Sequence, residues 1–292
     1  MKKNISKTIL AAVLVVSLNA FAQEEDTSKS NVQTYTPSKL LDKGQWDVKF
    51  FNGLYTQTRS ANSSGTSSLD GSGRSNFFTT TLDVFTGVSD NNRLNVGLLL
   101  EYRSNTINGK NATSVFSLGN DANSRKGLSS FAPAIKWQPI ESVGNFSLQS
   151  AFHIPINKSE FDGNGVFLDQ TAYMFQNRFF FDYTLPSGDW QLFTELATEY
   201  NFGSDESFAN NTFVLAPGIF MSYFPSQKST VLGFVQHSQR FGDFTQDFTA
   251  LGFGGKYQLT DVLNLEVLYN KFVRGNNSGL GQSFNIGLRA LF

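Results

Sequence analysis

Apolar and polar residues alternate along most of the chain after residue 44. In residues 92–104, for example, a single face carries Leu94, Val96, Leu98, Leu100 and Tyr102. Successive side chains of a β-strand point to opposite faces, so this period of two predicts strands with one apolar face and one polar face. A helix would instead repeat its apolar positions every three or four residues.

The alternating runs predict twelve strands. Their predicted ranges are 45–58, 75–88, 93–104, 128–138, 145–154, 171–184, 189–202, 211–224, 229–241, 247–258, 263–273 and 281–292. Residues 229–241 lack a clean alternation, so the sequence leaves the register of that strand undecided. Pro133 and Pro217 fall inside predicted strands, where a missing N–H is unfavourable, and we expect local bulges there.

The connections between these strands differ in length in a regular way. Long loops are predicted at 59–74, 105–127 and 155–170, whereas 186–189 and 225–228 are tight turns. Long loops at one end and short turns at the other are typical of bacterial outer-membrane barrels. The predicted fold is therefore all-β: a transmembrane, antiparallel, up-and-down β-barrel of about 12 strands that occupies residues 44–292.

Large aromatic residues recur beside the short turns. The set expected at that level is Trp46, Trp137, Trp190, Tyr183, Tyr223 and Tyr257. Amphipathic aromatic side chains concentrate where a membrane meets water, so these residues predict an interface girdle at the periplasmic side. The alternative is that they are ordinary core aromatics of a soluble β protein.

The face opposite the apolar one carries seven acidic and seven basic residues. The residues predicted to line the lumen are Asp47, Lys49, Asp83, Arg93, Glu101, Arg103, Lys136, Arg178, Asp182, Glu195, Glu199, Lys256, Glu266 and Arg289. Two interpretations stay open, a salt-bridged and packed interior or a polar channel. Inward phenylalanines are also expected, and they either line a path for a moderately apolar solute or fill a narrow lumen. These are Phe51, Phe77, Phe85, Phe180, Phe193 and Phe220.

The first 43 residues differ from the rest. Residues 1–22 combine three lysines, a short apolar run and an Ala-Phe-Ala site, which predicts a secretory signal peptide. Its removal takes away three lysines and no acid, so the formal net charge of −1 becomes about −4, which disfavours a nucleic-acid partner. Residues 23–43 are polar and predict a periplasmic tail or a plug segment. The expected location is the outer membrane of a Gram-negative bacterium.

The chain ends on an alternating strand whose apolar face reaches the last residue. That face consists of Phe284, Ile286, Leu288, Ala290 and Phe292. This ending resembles the C-terminal signature of bacterial outer-membrane barrels, which implies recognition by the barrel-insertion machinery and contact with outer-membrane lipid. With the stretch 44–58, the whole pattern is similar to exported transporter barrels, in particular the channels linked to phenol-degradation pathways. The resemblance is diffuse and fixes no solute.

Candidate catalytic and metal-binding residues are few. The chain has two histidines, His153 and His237, and no cysteine. Neither histidine has a serine two residues away on the same strand face, and isolated histidines lack the spacing of a zinc site. We therefore expect no enzyme activity, no metal and no cofactor. The predicted function is a channel for small solutes. The alternatives are a non-conducting barrel that binds partners through its long loops, and an interfacial hydrolase.

Overall fold

The structure is a computed structural model that describes residue 33, residues 36–117, residue 119 and residues 121–292. The predicted signal peptide at 1–22 and residues 23–35 apart from Gln33 lie outside the described residues. Among the described residues, no helix is long and apolar enough to cross a bilayer.

The regular secondary structure of the described residues is almost entirely β-strand. In chain order the strands are β1 (Trp46–Gln57), β2 (Arg59–Ala61), β3 (Ser67–Leu69), β4 (Ser75–Gly87), β5 (Leu94–Thr106), β6 (Ser124–Trp137), β7 (Phe146–Pro155), β8 (Tyr173–Thr184), β9 (Trp190–Phe202), β10 (Thr212–Ser226), β11 (Ser229–Gly242), β12 (Gln246–Gln258), β13 (Leu263–Asn276), β14 (Ser278–Gly279) and β15 (Gln282–Leu291). A single 3₁₀ turn, Ala112–Phe116, lies in the loop between β5 and β6.

Twelve of these strands form one closed ring. Going round the barrel, the order is β1, β15, β13, β12, β11, β10, β9, β8, β7, β6, β5 and β4, and β4 pairs again with β1. Every neighbouring pair is antiparallel, so the predicted twelve-stranded antiparallel barrel is confirmed. The three remaining strands make a small separate sheet in the order β14, β2, β3. The predicted loop at 59–74 therefore contains two short strands.

The ring closes where the first barrel strand meets the last. β1 and β15 pair continuously from Asp47↔Leu291 to Thr56↔Gln282. Beyond that ladder, Trp46 N donates to Phe292 O at 2.7 Å, and Phe292 N donates to Trp46 O at 3.0 Å. The final residue is thus held in the sheet, and the barrel has no open edge that would leave backbone groups unpaired.

The two faces of the barrel wall differ as in a membrane protein. On β15 the outward side chains of Phe284, Ile286 and Leu288 are 47%, 51% and 40% exposed. The apolar core of the described residues is small by comparison, and much of it is alanine on β6 and β7. Because exposed apolar surface of this extent is unfavourable in water, the outer face fits hydrocarbon rather than an aqueous environment.

The prolines interrupt pairing on one side without shifting the register. Pro133 pairs with Leu98 on β5, while pairing with β7 lapses between Phe131↔Ile154 and Ala134↔Ala151. Both strands advance by three residues across that gap, and the same holds for Pro217 between β10 and β11. The expectation of bulges at the two prolines is therefore wrong. On the side where the proline has no N–H to donate, pairing with the neighbouring strand is interrupted. Pairing with the strand on the other side continues.

The closing seam also carries an ion pair across the two strands. Arg289 donates to the carboxylate of Asp47 through Nε at 2.8 Å and through Nη2 at 2.9 Å. Lys49 Nζ lies 3.3 Å from the same carboxylate. One acidic side chain on β1 thus holds two cations at the seam, and a bidentate pair of this kind fixes the geometry as well as the energy.

We expect Asp47→Ala to lower the free energy of unfolding by about 2 kcal/mol, the size of a hydrogen bond to a charged group. The substitution removes the carboxylate that two cations share. Urea unfolding in lipid vesicles, followed by tryptophan fluorescence, measures the change. Asp189→Ala in an exposed turn is the control, and an equal effect in both variants would show that the seam pair is not stabilising.

Candidate functional site

The barrel encloses a cavity of about 480 Å³. Its lining residues come from every barrel strand except β5, so the cavity lies inside the ring and not on its outer surface. A volume of this size is in the range of sites that hold small molecules. The interior of the barrel is therefore the candidate functional site.

Eight of the fourteen charged residues predicted for the lumen line this cavity. They are Lys49, Asp83, Lys136, Arg178, Glu195, Lys256, Glu266 and Arg289. Most are paired across neighbouring strands: Arg178 Nε lies 2.7 Å from Glu195 Oε1, and Lys256 Nζ lies 2.7 Å from Glu266 Oε2. The charges thus form local pairs on the wall and leave space at the centre.

Two of the lining charges have other surroundings. Lys136 Nζ donates to the carbonyl oxygen of Lys39 at 2.6 Å and lies 5.6 Å from the centre of the Phe180 ring. Asp83 faces Lys49 in the strand register, and among the described residues its Oδ1 has no hydrogen-bond partner. The cavity therefore holds one ammonium and one carboxylate that are not bound in a close ion pair with any described residue.

A row of phenylalanines covers one side of the cavity. Phe180, Phe193, Phe220 and Phe234 lie on β8, β9, β10 and β11, and successive ring centres are 6.1, 5.2 and 5.2 Å apart. Phe180, Phe193 and Phe220 were predicted to point inward, whereas Phe234 was not. The missing residue lies in the strand whose register the sequence left undecided, and the pairing Phe220↔Phe234 fixes that register.

Glycines lie beneath several of the inward rings. A Cβ added at Gly287 would come 2.5 Å from Cδ2 of Phe51, and Cβ atoms at Gly97 and Gly252 would meet the rings of Phe85 and Phe234. The absence of a side chain lets each ring approach the neighbouring strand closely. A side chain at any of these positions would push the ring away from the wall.

The end of the lumen where the long loops lie is narrowed by the loop at residues 156–172. Asn105 at the end of β5 donates to the carbonyl oxygens of Phe167 and Leu168, both at 2.9 Å. Arg103 Nη1, on the same inner face, lies 3.1 Å from Asp169, and Arg103 Nε lies 2.7 Å from Glu101. The loop is thus bound to the inner side of the wall and not only to its rim.

A carboxylate links this loop to the next one. Glu160 accepts hydrogen bonds from Ser207 Oγ and from the backbone N–H groups of Thr171 and Phe208. Arg125 of β6 donates to the carbonyl oxygens of Glu160 at 2.8 Å and Ser159 at 3.0 Å. These contacts make the two loops over this opening one connected structure.

The opposite end of the lumen, where the short turns lie, is occupied by residues 36–43. Thr36 Oγ1 donates to Asp182 Oδ1 at 2.8 Å, and Leu41 N donates to Asn95 Oδ1 at 3.2 Å. Leu41 is 2% exposed, and Thr36 belongs to the lining of the cavity. The segment therefore forms the floor of the cavity at this end, held by side chains of β5, β6 and β8.

The remaining predicted site residues lie elsewhere. Arg93 is in the turn before β5, where it donates to Gln138 O at 3.0 Å and lies 3.5 Å from Glu141. Glu199 accepts a hydrogen bond from Gln176 at 3.1 Å, above the cavity. The six aromatic residues predicted for the periplasmic girdle are all at least 36% exposed, and Trp190 lies against Tyr223 with ring centres 4.8 Å apart.

The two histidines are on different strands. His237 Nδ1 lies 2.9 Å from Thr249 Oγ1 on β12, whereas His153 is on β7, and its Nε2 has no hydrogen-bond partner among the described residues. In the part of the chain that the structure describes, no cluster of three or more His, Asp or Glu side chains could hold a metal ion.

We expect Gly287→Ala to destabilise the barrel by about 1–3 kcal/mol, the usual cost of overpacking, because the new methyl group displaces the Phe51 ring. Combining it with Phe51→Leu should recover most of the loss in a double-mutant cycle measured by urea unfolding. Gly233→Ala is the control, since a Cβ there meets only open space and one backbone oxygen at 3.9 Å. Additive effects of the two changes would contradict this packing.

We expect the loop at 156–172 to loosen as pH rises through about 6. Burial raises the pKa of Asp169 from 3.8 to about 6, and Arg103 only partly opposes the rise. Asp169 therefore binds a proton more tightly when the loop is docked on the wall than when the loop is free. The stabilisation of docking by this proton is complete below about pH 4 and is lost above about pH 6.

A nitroxide label on Asn164→Cys, in a chain that has no other cysteine, should report the loosening by electron paramagnetic resonance. Asp169→Asn should make the mobility independent of pH between 4 and 7.5. A step of unchanged size in that variant would show that Asp169 does not cause the loosening.

Comparison with known proteins finds similar structures but no similar sequence. No protein-family model and no curated protein sequence matches the chain. The structure is similar to an outer membrane channel from Pseudomonas putida F1, with a TM-score of 0.68 and 10% identity, covering 92% of this chain and all of that one. It is also similar to the β domain of the Bordetella autotransporter BrkA, with a TM-score of 0.56 and 15% identity, covering 86% of this chain and all of that one. The expected diffuse resemblance to outer-membrane channel barrels is confirmed at the level of the fold.

Proposed function

We propose that the chain is a channel in the outer membrane of a Gram-negative bacterium and passes small, moderately hydrophobic solutes. The observation that carries the proposal is the composition of the lumen. A closed barrel with an apolar outer face encloses a cavity with a row of phenylalanines on one side and paired charges on the rest of the wall. A wall that is partly apolar and partly charged suits solutes that have both kinds of surface.

The pairing of the charges bears on selectivity. Five cations and three acids line the cavity. Four of these eight charges form the pairs Arg178–Glu195 and Lys256–Glu266, and two more, Lys49 and Arg289, lie within 4 Å of Asp47 at the seam. A strongly charged ring would select simple ions by sign, as rings of one charge do in ion channels. Paired charges leave the aromatic row to discriminate between solutes, which favours uptake of organic molecules over inorganic ions.

Both ends of the lumen are restricted, which favours a second candidate function. The loop at 156–172 covers the extracellular end, and residues 36–43 cover the periplasmic end. A barrel that stayed closed at both ends would not conduct, and its long loops would then act as a surface for a partner. Conductance measurements separate these two functions.

We expect the full mature chain to conduct weakly in a planar lipid bilayer and a chain without residues 23–43 to conduct several times better. The truncation removes the floor of the cavity but leaves all twelve strands and their ion pairs in place. Heat-dependent mobility in gels checks that both proteins are folded. Silence of both folded proteins would overturn the channel and support the non-conducting barrel.

A further inference from the structure

We propose that the periplasmic end of the lumen binds small organic anions with an apolar body, and that such an anion releases residues 36–43 by taking Lys136 from them. The inference rests on the proposed channel function and names the class of solute that opens it. The site lies between the N-terminal segment, Lys136 and the row of phenylalanines formed by Phe180, Phe193, Phe220 and Phe234.

Lys136 differs from the other cations of the cavity in its partner. Each of the others has a carboxylate within 4 Å, in the pairs Lys49–Asp47, Arg178–Glu195, Lys256–Glu266 and Arg289–Asp47. Lys136 has none among the described residues, and its ammonium group donates to a neutral carbonyl, that of Lys39. A carboxylate accepts a stronger hydrogen bond from an ammonium group than a neutral carbonyl does. An incoming anion therefore competes with Lys39 for the same donor.

The surroundings of Lys136 favour an anion over a neutral acceptor. The Phe180 ring has Lys136 Nζ at 5.6 Å and the Arg178 guanidinium carbon at 5.0 Å from its centre. Lys136 is also 8% exposed, so little bulk water screens its charge. A second cation next to a buried ammonium raises the local positive potential, which an anion relieves.

The apolar body of the ligand is selected by the rest of the row. Phe193, Phe220 and Phe234 face the same cavity, and they continue from Phe180 across three further strands. An anion with a hydrocarbon tail can place its carboxylate at Lys136 and its tail on these rings, whereas acetate gains only the first contact.

Binding of the anion and seating of the N-terminal segment exclude each other. Three side chains of the barrel strands hold the segment: Asp182 accepts from Thr36, Asn95 accepts from Leu41 N, and Lys136 donates to Lys39 O. The turn before β5 holds the end of the segment, where Asn92 donates to Asp42 and Asp90 accepts from Lys43. Loss of the third contact removes one hydrogen bond between the segment and the wall, which weakens the seating of the segment. By linkage, an anion that displaces the segment binds better once the segment has left.

The test uses the full mature chain in a planar bilayer with hexanoate as the probe. Hexylammonium and 1-hexanol are the cationic and neutral controls of the same length. We expect hexanoate to raise the open fraction and the two controls to leave it unchanged. Activation by 1-hexanol as strong as by hexanoate would overturn the proposed anion class.

Variants of Lys136 test whether the anion and the Lys39 carbonyl compete for the ammonium group of Lys136. Lys136→Gln retains an N–H that can bond to Lys39 O but lacks the charge, so the response to hexanoate should fall at least tenfold. Lys136→Arg should retain the response, and Lys271→Gln, which removes an exposed lysine on β13, should not change it. An unaltered response in folded Lys136→Gln would overturn the inference.

Variants of β10 test the apolar contact. Wild-type protein should prefer hexanoate over acetate by about tenfold, since part of the four additional methylenes is buried on the rings. Phe220→Ser should abolish this preference, and Phe213→Ser on the outward face of the same strand should keep it. A preference that survives in folded Phe220→Ser would show that the row does not hold the tail.

The chain without residues 23–43 separates this inference from the channel function. It should conduct without hexanoate and gain nothing from it, because the segment is gone. If the truncated chain conducts and the full chain does not respond to hexanoate, the inference fails and the channel stands. If neither conducts under any condition, both fail together.

Discussion

The closure of the sheet between β1 and β15 is the constraint on which the rest of the structure depends. A membrane offers no water to backbone N–H and C=O groups, so a sheet inside it must leave no open edge. The chain meets this requirement with a continuous ladder from Asp47↔Leu291 to Thr56↔Gln282 and with reciprocal bonds between Trp46 and Phe292. Without that seam, two strands would expose unpaired backbone to lipid.

Because the barrel is closed, its interior does not have to serve as an apolar core. The outer face gains its stability from hydrocarbon, so the inward side chains need not fill the space between the strands. The wall can then carry ion pairs such as Arg178–Glu195 and aromatic rings that pack closely against glycines. The cavity exists because this fold makes its apolar contacts on the outer face and not in the interior.

The two ends of the lumen are held by contacts of a different kind from those of the wall. The loop at 156–172 and the segment at 36–43 are held by side chains such as Arg103, Glu160, Lys136 and Asp182. Their backbone contacts to the barrel, such as the bridge Lys43↔Gly87, are isolated and do not form a continuous ladder. Such contacts are fewer and weaker than those of the strands. A movement that admits a solute therefore costs less free energy at the two ends than in the wall. The proposed channel depends on that difference in strength.

The sequence by itself determined the twelve strands, the antiparallel barrel and most of the inward charges, because alternation of side chains is a local property of each strand. It did not determine the register of β11, and so it missed Phe234, since pairing is set by the neighbouring strand. It placed Arg93 in the lumen, but the tertiary structure turns that side chain to Glu141. Only the tertiary structure decided which carboxylate each cation meets, and that Lys136 meets the backbone of residues 36–43, because those partners are distant in the chain.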